Sequence, residues 1–246
     1  MKKIITLLFC SLLIGASFGQ AVDSTVKKTR KDWSKIDLAG RPNDHLMIQF
    51  GYPGLTSAPD SLHVKGFSKS FNVYFLLDFP FKTDPRFSIA LGPGIGTDNF
   101  RFQKTYIGVK DQTSTLRFQD LSDTNHFKKY KLVTAFLEAP VEFRFTKDPE
   151  NNKKSFKAAI GVKVGTLVDV HTKGKDWVTS SGSTINNYTD KIKGKNFFNK
   201  NRLVATARVG IGSFSVYGSY QLGALIKEGY GPAVKPYTIG LTISGL

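Results

Sequence analysis

The chain has 246 residues, with 35 Lys and Arg against 19 Asp and Glu, a formal charge of +16 and a single cysteine, Cys10. One cysteine excludes an internal disulfide framework and a cysteine-built metal site. The basic balance points to anionic partners, and charge alone does not choose between nucleic acid, lipid phosphate and acidic polysaccharide.

The first residues read MKK, then IITLLFCSLLIGA, then SFGQA. A charged start, an apolar run and a small-x-small site at Ser17-Phe18-Gly19 predict a secretory signal over 1–19, cut before Gln20. The 13-residue apolar run is too short to span a bilayer as a helix. Cys10 lies inside it, so the exported chain is expected to be cysteine-free. With Lys2 and Lys3 gone, 33 basic residues face 19 acidic ones, a balance of +14. An exported chain is placed to meet lipid phosphate or acidic polysaccharide, so nucleic acid is not expected as a partner. Residues 20–43 show no sustained period and read as a basic periplasmic leader. The rest, 44–246, reads as one β domain.

From residue 45 onward, apolar residues recur at every second position, the period of a strand. Strand one, 45–53, places Leu46, Ile48, Phe50 and Tyr52 on one face. Strand two, 69–82, sets Phe71, Val73, Phe75, Leu77, Phe79 and Phe81 against Asn72, Tyr74 and Asp78. Strand three, 86–97, sets Phe87, Ile89, Leu91, Pro93 and Ile95 against small residues. Strand four, 131–146, opposes Val133, Leu137, Val141, Phe143 and Phe145 to Thr134, Glu138, Glu142 and Arg144. Strand five, 155–170, has Phe156, Ala158, Ile160, Val162, Val164, Val168 and Val170 on even numbers, with Lys157, Lys163 and Asp169 on odd ones. Strand six, 201–211, strand seven, 213–227, and strand eight, 235–245, alternate in the same way.

The connections alternate too. TDP, KDPENNK and Gly212 are tight turns built from residues that turn well. The others, about 54–68, 98–130, 171–200 and 227–234, run longer. Short turns at one end and long loops at the other predict an eight-stranded antiparallel up-and-down transmembrane β-barrel, with both termini in the periplasm.

Alternation by itself also fits a soluble barrel with its apolar face inside. Two features favour lipid outside. The apolar faces hold no Asp, Glu, Lys or Arg, and a charge at the bilayer midplane costs about 2–4 kcal/mol. Aromatics also sort by height. Phe79, Phe81, Phe87, Phe143, Phe145, Phe156 and Phe214 fall at the short-turn end, and Tyr52, Phe71 and Tyr237 at the long-loop end. Two aromatic girdles are the mark of a membrane barrel.

The stretch FLEAPVEFRF (136–145) resembles the aromatic-Leu-Glu-Ile-Pro-Leu strand of the small outer-membrane barrel family labelled PorT-like. Phe136, Leu137, Glu138 and Pro140 match that pattern, while Ala139 replaces a larger aliphatic residue. Members of that family close on a strand ending in Phe, whereas this chain ends TISGL. The resemblance implies the barrel fold and the outer membrane, with a secretion role for the namesake alone.

The inward positions collect Asp78, Glu138, Glu142 and Asp169 with Arg86, Arg144, Lys157, Lys163, Arg202 and Arg208. In a narrow bore these charges must pair, so they are expected to form an ion network that plugs the lumen. A pairing of strands four and five in which partner numbers sum to 301 places Glu138 opposite Lys163 and Arg144 opposite Lys157. Glu142 then lies diagonally between the basic pair.

His63, His126 and His171 map to the outer end, but their spacing matches no metal or nucleophile motif. No cofactor, metal or catalytic residue is therefore expected. Loop 171–200 carries Lys173, Lys175, Lys191, Lys193, Lys195 and Lys200 among Trp177, Phe197 and Phe198. That mixture is expected to meet lipopolysaccharide phosphate or acidic polysaccharide at the outer leaflet. The leading reading is a non-enzymatic structural or interaction barrel. A narrow channel, a secretion-system subunit and a lipid-modifying enzyme are its alternatives.

Overall fold

The computed structural model describes residues 45–59, 62, 66–152 and 154–245. The expected signal over 1–19, the leader over 20–43, His63 and Leu246 lie outside the described residues. The described elements are all strands: β1 (Leu46–Thr56), β2 (Lys69–Phe75), β3 (Leu77–Pro80), β4 (Phe87–Leu91), β5 (Gly94–Phe102), β6 (Thr105–Ile107), β7 (Phe118–Asp120), β8 (His126–Thr146), β9 (Phe156–Val178), β10 (Thr184–Lys193), β11 (Asn201–Ile211), β12 (Phe214–Gln221) and β13 (Lys235–Ser244).

Eight of these strands pair in a closed antiparallel ring, β1-β2-β5-β8-β9-β11-β12-β13 and back to β1. Closure removes the sheet edges, and every wall strand has two partners. The remaining strands are extensions. β3 and β4 continue the wall at the short-turn end, β10 pairs with the projecting part of β9, and β6 with β7 forms a separate hairpin.

The alternating faces hold across most of the ring. Ile160, Phe214, Ile239 and Leu241 each expose about three-fifths or more of their surface. Lys163, Arg202 and Arg208 on the opposite parity are buried. Exposed apolar residues form a continuous outer band, far larger than a soluble surface carries. Ring contacts within it include Phe87 with Phe143 at 5.7 Å and with Phe145 at 5.2 Å at the short-turn end, and Phe50 with Phe71 at 5.0 Å toward the other.

Several sequence expectations need correction. Strands two and three are each broken. Phe75 N–H donates to Pro93 O at 2.9 Å and Leu76 N–H to His45 O at 2.6 Å, so Leu76 lies between β2 and β3. Pro93 has no N–H for the ladder. A side chain at Gly92 would collide with the Phe75 carbonyl, so the two backbones can approach only because Gly92 has none.

The β8–β9 register also differs. Glu138 faces Gly165, Pro140 faces Lys163 and Arg144 faces Ala159, so partner numbers sum to 303 rather than 301. The turn explains the shift. The Asp148 carboxylate accepts from the N–H groups of Glu150 at 3.2 Å and Asn151 at 3.4 Å, with Pro149 following it. Asp then Pro is the opening of a type I turn, and it sets the hairpin one residue further along. A change of two in the sum preserves parity, so no face inverts.

The expected loops at 98–130 and 171–200 are in large part strand. β8 begins at His126 and β9 runs to Val178, where β10 joins as a third strand. Alternation continues there with Lys129, Lys131, Lys173 and Lys175 outside and Tyr130, Leu132 and Thr172 inside. An outward lysine ends an apolar stripe without ending a strand.

A bulge separates the two zones. Ala135 pairs with Asp169 and Phe136 with Leu167, leaving Val168 without a partner in the ladder. One extra residue inverts every side chain beyond it. Val170, expected on lipid, is therefore fully buried, and Asp169, expected in the lumen, faces out.

The long connections fold over the outer mouth. Phe197, Phe198, Leu225, Ile226 and Val234 pack with Phe100, Phe102, Tyr130, Leu132 and Phe136 in one apolar cluster. Backbone hydrogen bonds fix it, including Lys227 N–H to Phe197 O at 2.9 Å and Leu116 N–H to Tyr230 O at 2.7 Å. At the other end Met47, Tyr74, Leu76 and Ala90 make a smaller cluster inside the barrel.

Candidate functional site: the barrel interior

Between these two apolar layers lies a charged one. Arg202 on β11 donates from Nε to Glu138 Oε1 at 2.7 Å and from Nη1 to Asp98 Oδ2 at 2.9 Å. Its guanidinium plane lies over the Phe136 ring, 3.8 Å from the centroid, a geometry that Arg supports and Lys does not. Tyr74 donates to Glu138 Oε2 at 2.5 Å, and Lys163 Nζ donates to the Tyr74 hydroxyl at 3.1 Å. Lys163 Nζ is also 3.9 Å from Glu138 Oε2. The expected Glu138–Lys163 pair thus meets diagonally, with a tyrosine between.

A second group sits nearer the short turns. Glu142 Oε2 accepts from Arg144 Nε at 2.9 Å and from Arg208 Nη2 at 3.1 Å. Arg144 also approaches Asp78 Oδ1 at 3.6 Å, and Asp78 accepts from the Ser88 hydroxyl at 2.7 Å. Lys157 is buried and faces Thr146, so it does not oppose Arg144.

Two of the ten expected network residues stand apart. Arg86 forks onto Asp84 in the β3–β4 turn, at 2.6 Å from Nη2, with about a third of its side chain exposed. It belongs to the turn and not the bore. This contact holds the Asp84 carboxyl below its usual range. Asp169 bonds His171 Nδ1 at 2.7 Å on the outer wall.

Three residues that sequence reasoning left out are central. Asp98 falls within the connection expected over 98–130, although Gly96, Asp98, Phe100 and Phe102 continue the inward parity. Tyr74 has the inward parity that the sequence predicts, and it links Glu138 to Lys163. Gln49 donates to the Thr242 hydroxyl at 3.1 Å and accepts from Asn72 Nδ2 at 3.4 Å, an amide ladder within the same layer.

The charged layer is densely filled. The cavity beside Asp98, Lys163 and Arg202 holds about 20 Å³, roughly the space of one water. Its buried charges are retained at a desolvation cost that their pairing only offsets. The arrangement can close a bore. Among the described residues no group of three or more His, Cys, Asp and Glu could hold a metal. His126 bonds Thr124 O, and His171 bonds Asp169.

A closed eight-strand ring, an apolar exterior with aromatic ends and a charged interior describe a membrane barrel. The family model "outer membrane protein beta-barrel domain" matches residues 45–227. The chain belongs to that family. As an outer-membrane barrel protein it places the exposed apolar band against lipid, and the parity of its strands follows from that solvent. No match is found among curated protein sequences. Two solved structures of Ail, the attachment invasion locus protein of Yersinia pestis, are similar at low identity. The complex with the heparin analogue sucrose octasulfate has a TM-score of 0.36 at 13% identity, covering 81% of this chain and 94% of that one. A second crystal structure of Ail has a TM-score of 0.34, with the same identity and coverage.

Proposed function

We propose that this outer-membrane barrel is a non-enzymatic structural and interaction protein whose lumen is closed by its ion network. The observation that carries this reading is the buried layer of Asp98, Glu138, Glu142, Arg144, Arg202 and Arg208 with about 20 Å³ of free space beside it. The apolar cap above and the Met47–Leu76 cluster below support it, since an ion would have to cross both. In this reading residues 1–19 direct export and are removed, the leader over 20–43 and the short turns lie in the periplasm, and the long connections face outward. The resemblance of 136–145 to PorT-like strands adds a secretion partner as a narrower version of the same role.

The test is single-channel recording of the refolded protein in planar bilayers. No stepwise conductance is expected. Steady ohmic steps that change when Arg202 or Glu142 is neutralised would replace the plug with a pore.

A further inference from the structure

Just beyond the apolar band, on the outside of the wall, the ladders set cations side by side. Arg101 on β5 faces Lys131 on β8, Lys131 faces Lys173 on β9, and Lys173 faces Lys191 on β10. One position further out, Lys129 faces Lys175. One position closer to the band, Lys69 on β2 faces Asn99 on β5. None of the residues directly opposing these cations is acidic. Like charges directly across a ladder destabilise a sheet, and this sheet places four in one row. Burial and the neighbouring Lys173, Arg101, Lys191 and Lys69 push the Lys131 ammonium below its ordinary value. Of the nearby carboxylates, Asp169 is engaged by His171 and lies 3.9 Å from Lys193, and Asp190 pairs with Gly174 on the opposite parity to the cation row.

These side chains line a groove of about 420 Å³. Its polar wall is Lys69, Arg101, Lys129, Lys131, Lys173 and Lys175, and Asn99 accepts from Lys131 Nζ at 2.7 Å. Its remaining lining includes Phe67 and Phe71. Phe71 packs on Phe50 in the lipid-facing band, and Phe67, 62% exposed, lies tilted against Tyr52 at 5.7 Å. The groove is thus continuous with the surface that meets acyl chains, and its cations begin where the head groups begin. A row across four strands spans about 14 Å, enough for more than one phosphate.

We infer that this groove binds the phosphorylated sugar head of an outer-leaflet glycolipid, with Arg101, Lys131 and Lys173 on its phosphates and Phe67 and Phe71 against the start of its acyl chains. The inference deepens the interaction role proposed above and rests on the outward placement of the long connections. Charge-assisted hydrogen bonds to phosphate from a preformed set of cations are strong, and the bound anion relieves the repulsion along the row. Lysine and arginine stems also lie comfortably over apolar surface while their heads reach the anion. The aromatic rim continues the lipid-facing band through Phe50 and Tyr52, which favours a ligand anchored in the bilayer over a soluble polysaccharide or nucleic acid. The expected 171–200 surface is corrected accordingly. Phe197 and Phe198 are buried in the cap, while Trp177 is half-buried and packs on Phe127 at 4.8 Å, so the lysines of this stretch stand apart from two of the three aromatics expected beside them.

The test uses the full chain refolded in detergent micelles, with bisphosphorylated lipid A, its dephosphorylated form and heparin as probes in native mass spectrometry and competition. Wild-type protein should retain bisphosphorylated lipid A and not the dephosphorylated form. Arg101→Gln with Lys131→Gln should weaken retention by about tenfold or more, with no loss of thermal stability, because the pair removes like charges from one row. Unchanged retention by that variant overturns the site. Heparin binding as tightly as lipid A, with Phe67→Ser and Phe71→Ser without effect, overturns the lipid and leaves a polysaccharide surface. Neither outcome bears on conductance, so the closed lumen stands or falls separately.

Discussion

Replacing Arg202 by Met probes the interior where it is most densely connected. The guanidinium is shared between Glu138 at 2.7 Å and Asp98 at 2.9 Å. Its loss leaves two carboxylates in a buried layer, and removing one partner of a buried pair costs about 3–5 kcal/mol. Glu138 keeps Tyr74 and Lys163, whereas Asp98 loses the guanidinium that holds it at 2.9 Å, so the upper part of that range is expected. Glu138→Gln alone should cost less, since Gln can still accept from Tyr74. The cycle over both changes measures coupling. At an effective dielectric of about 20, unit charges attract by about 6 kcal/mol at 2.7 Å and about 4 kcal/mol at 3.9 Å. Glu138–Arg202 coupling should therefore exceed Glu138–Lys163 coupling by about 2 kcal/mol before desolvation is counted. Urea titration in lipid vesicles, read as the loss of the fast-migrating folded band, gives each free energy. Coupling near zero for Glu138–Arg202, or a larger value for Glu138–Lys163, would refute the arrangement and mean a hydrated bore.

Further expectations follow from other parts of the wall. Val162→Arg, on the lipid face, should cost about 2–4 kcal/mol and lower the yield of folded barrel, while Val162→Leu should not. Gly161→Ser should also destabilise despite its inward side, because a Cβ there meets the backbone of Val141 and Glu142; tolerance in refolding yield would refute that contact. His171 should titrate below 6.5 by NMR, since burial, with Lys191 and Lys131, outweighs Asp169. The unfolded chain then takes the proton more readily, so this contribution is fully present above 6.5 and is lost as pH falls from there through the lower folded value; a midpoint above 6.5 would refute it. The protein should fractionate with the outer membrane and shift its gel mobility on boiling, as closed barrels resist detergent; recovery in the periplasmic fraction contradicts the fold.

The sequence carried parity better than pairing. Period two is set by solvent on each face, so Phe71, Val162 and Leu241 could be placed outward without knowing any neighbour. Register depends on turn geometry, and the Asp148-Pro149 cap moved the β8–β9 sum from 301 to 303 without disturbing either face. Within the ring strands parity inverts where a residue is inserted. The Val168 bulge leaves no trace in an apolar run, so Asp169 and Val170 were exchanged. The projecting hairpin was missed because its outer stripe is lysine, and the apolar criterion stops where lipid stops. Asp98 was lost for the same reason. The cap was hidden because Phe197 and Phe198 lie in a segment without any period and Leu225 lies at the end of the alternation expected over 213–227, where the strand itself stops at Gln221.

The measurement that tests the central claim most directly is nitroxide scanning along β9. Cys10 is the only native cysteine, so in a chain with it replaced, single cysteines at 158–175 can be labelled in lipid vesicles. Oxygen, which partitions into lipid, should relax labels at Ile160, Val162, Val164 and Val168. Labels at Lys163 and Gly165 should be shielded from oxygen and from a water-soluble nickel reagent alike. Beyond Val168 the parity should invert, with Lys173 and Lys175 open to nickel and Val170 and Thr172 closed. Nickel access at 163 and 165 would mean a water-filled bore. Even positions shielded from both reagents would mean that the apolar face lies inside, and the membrane barrel would fall with it.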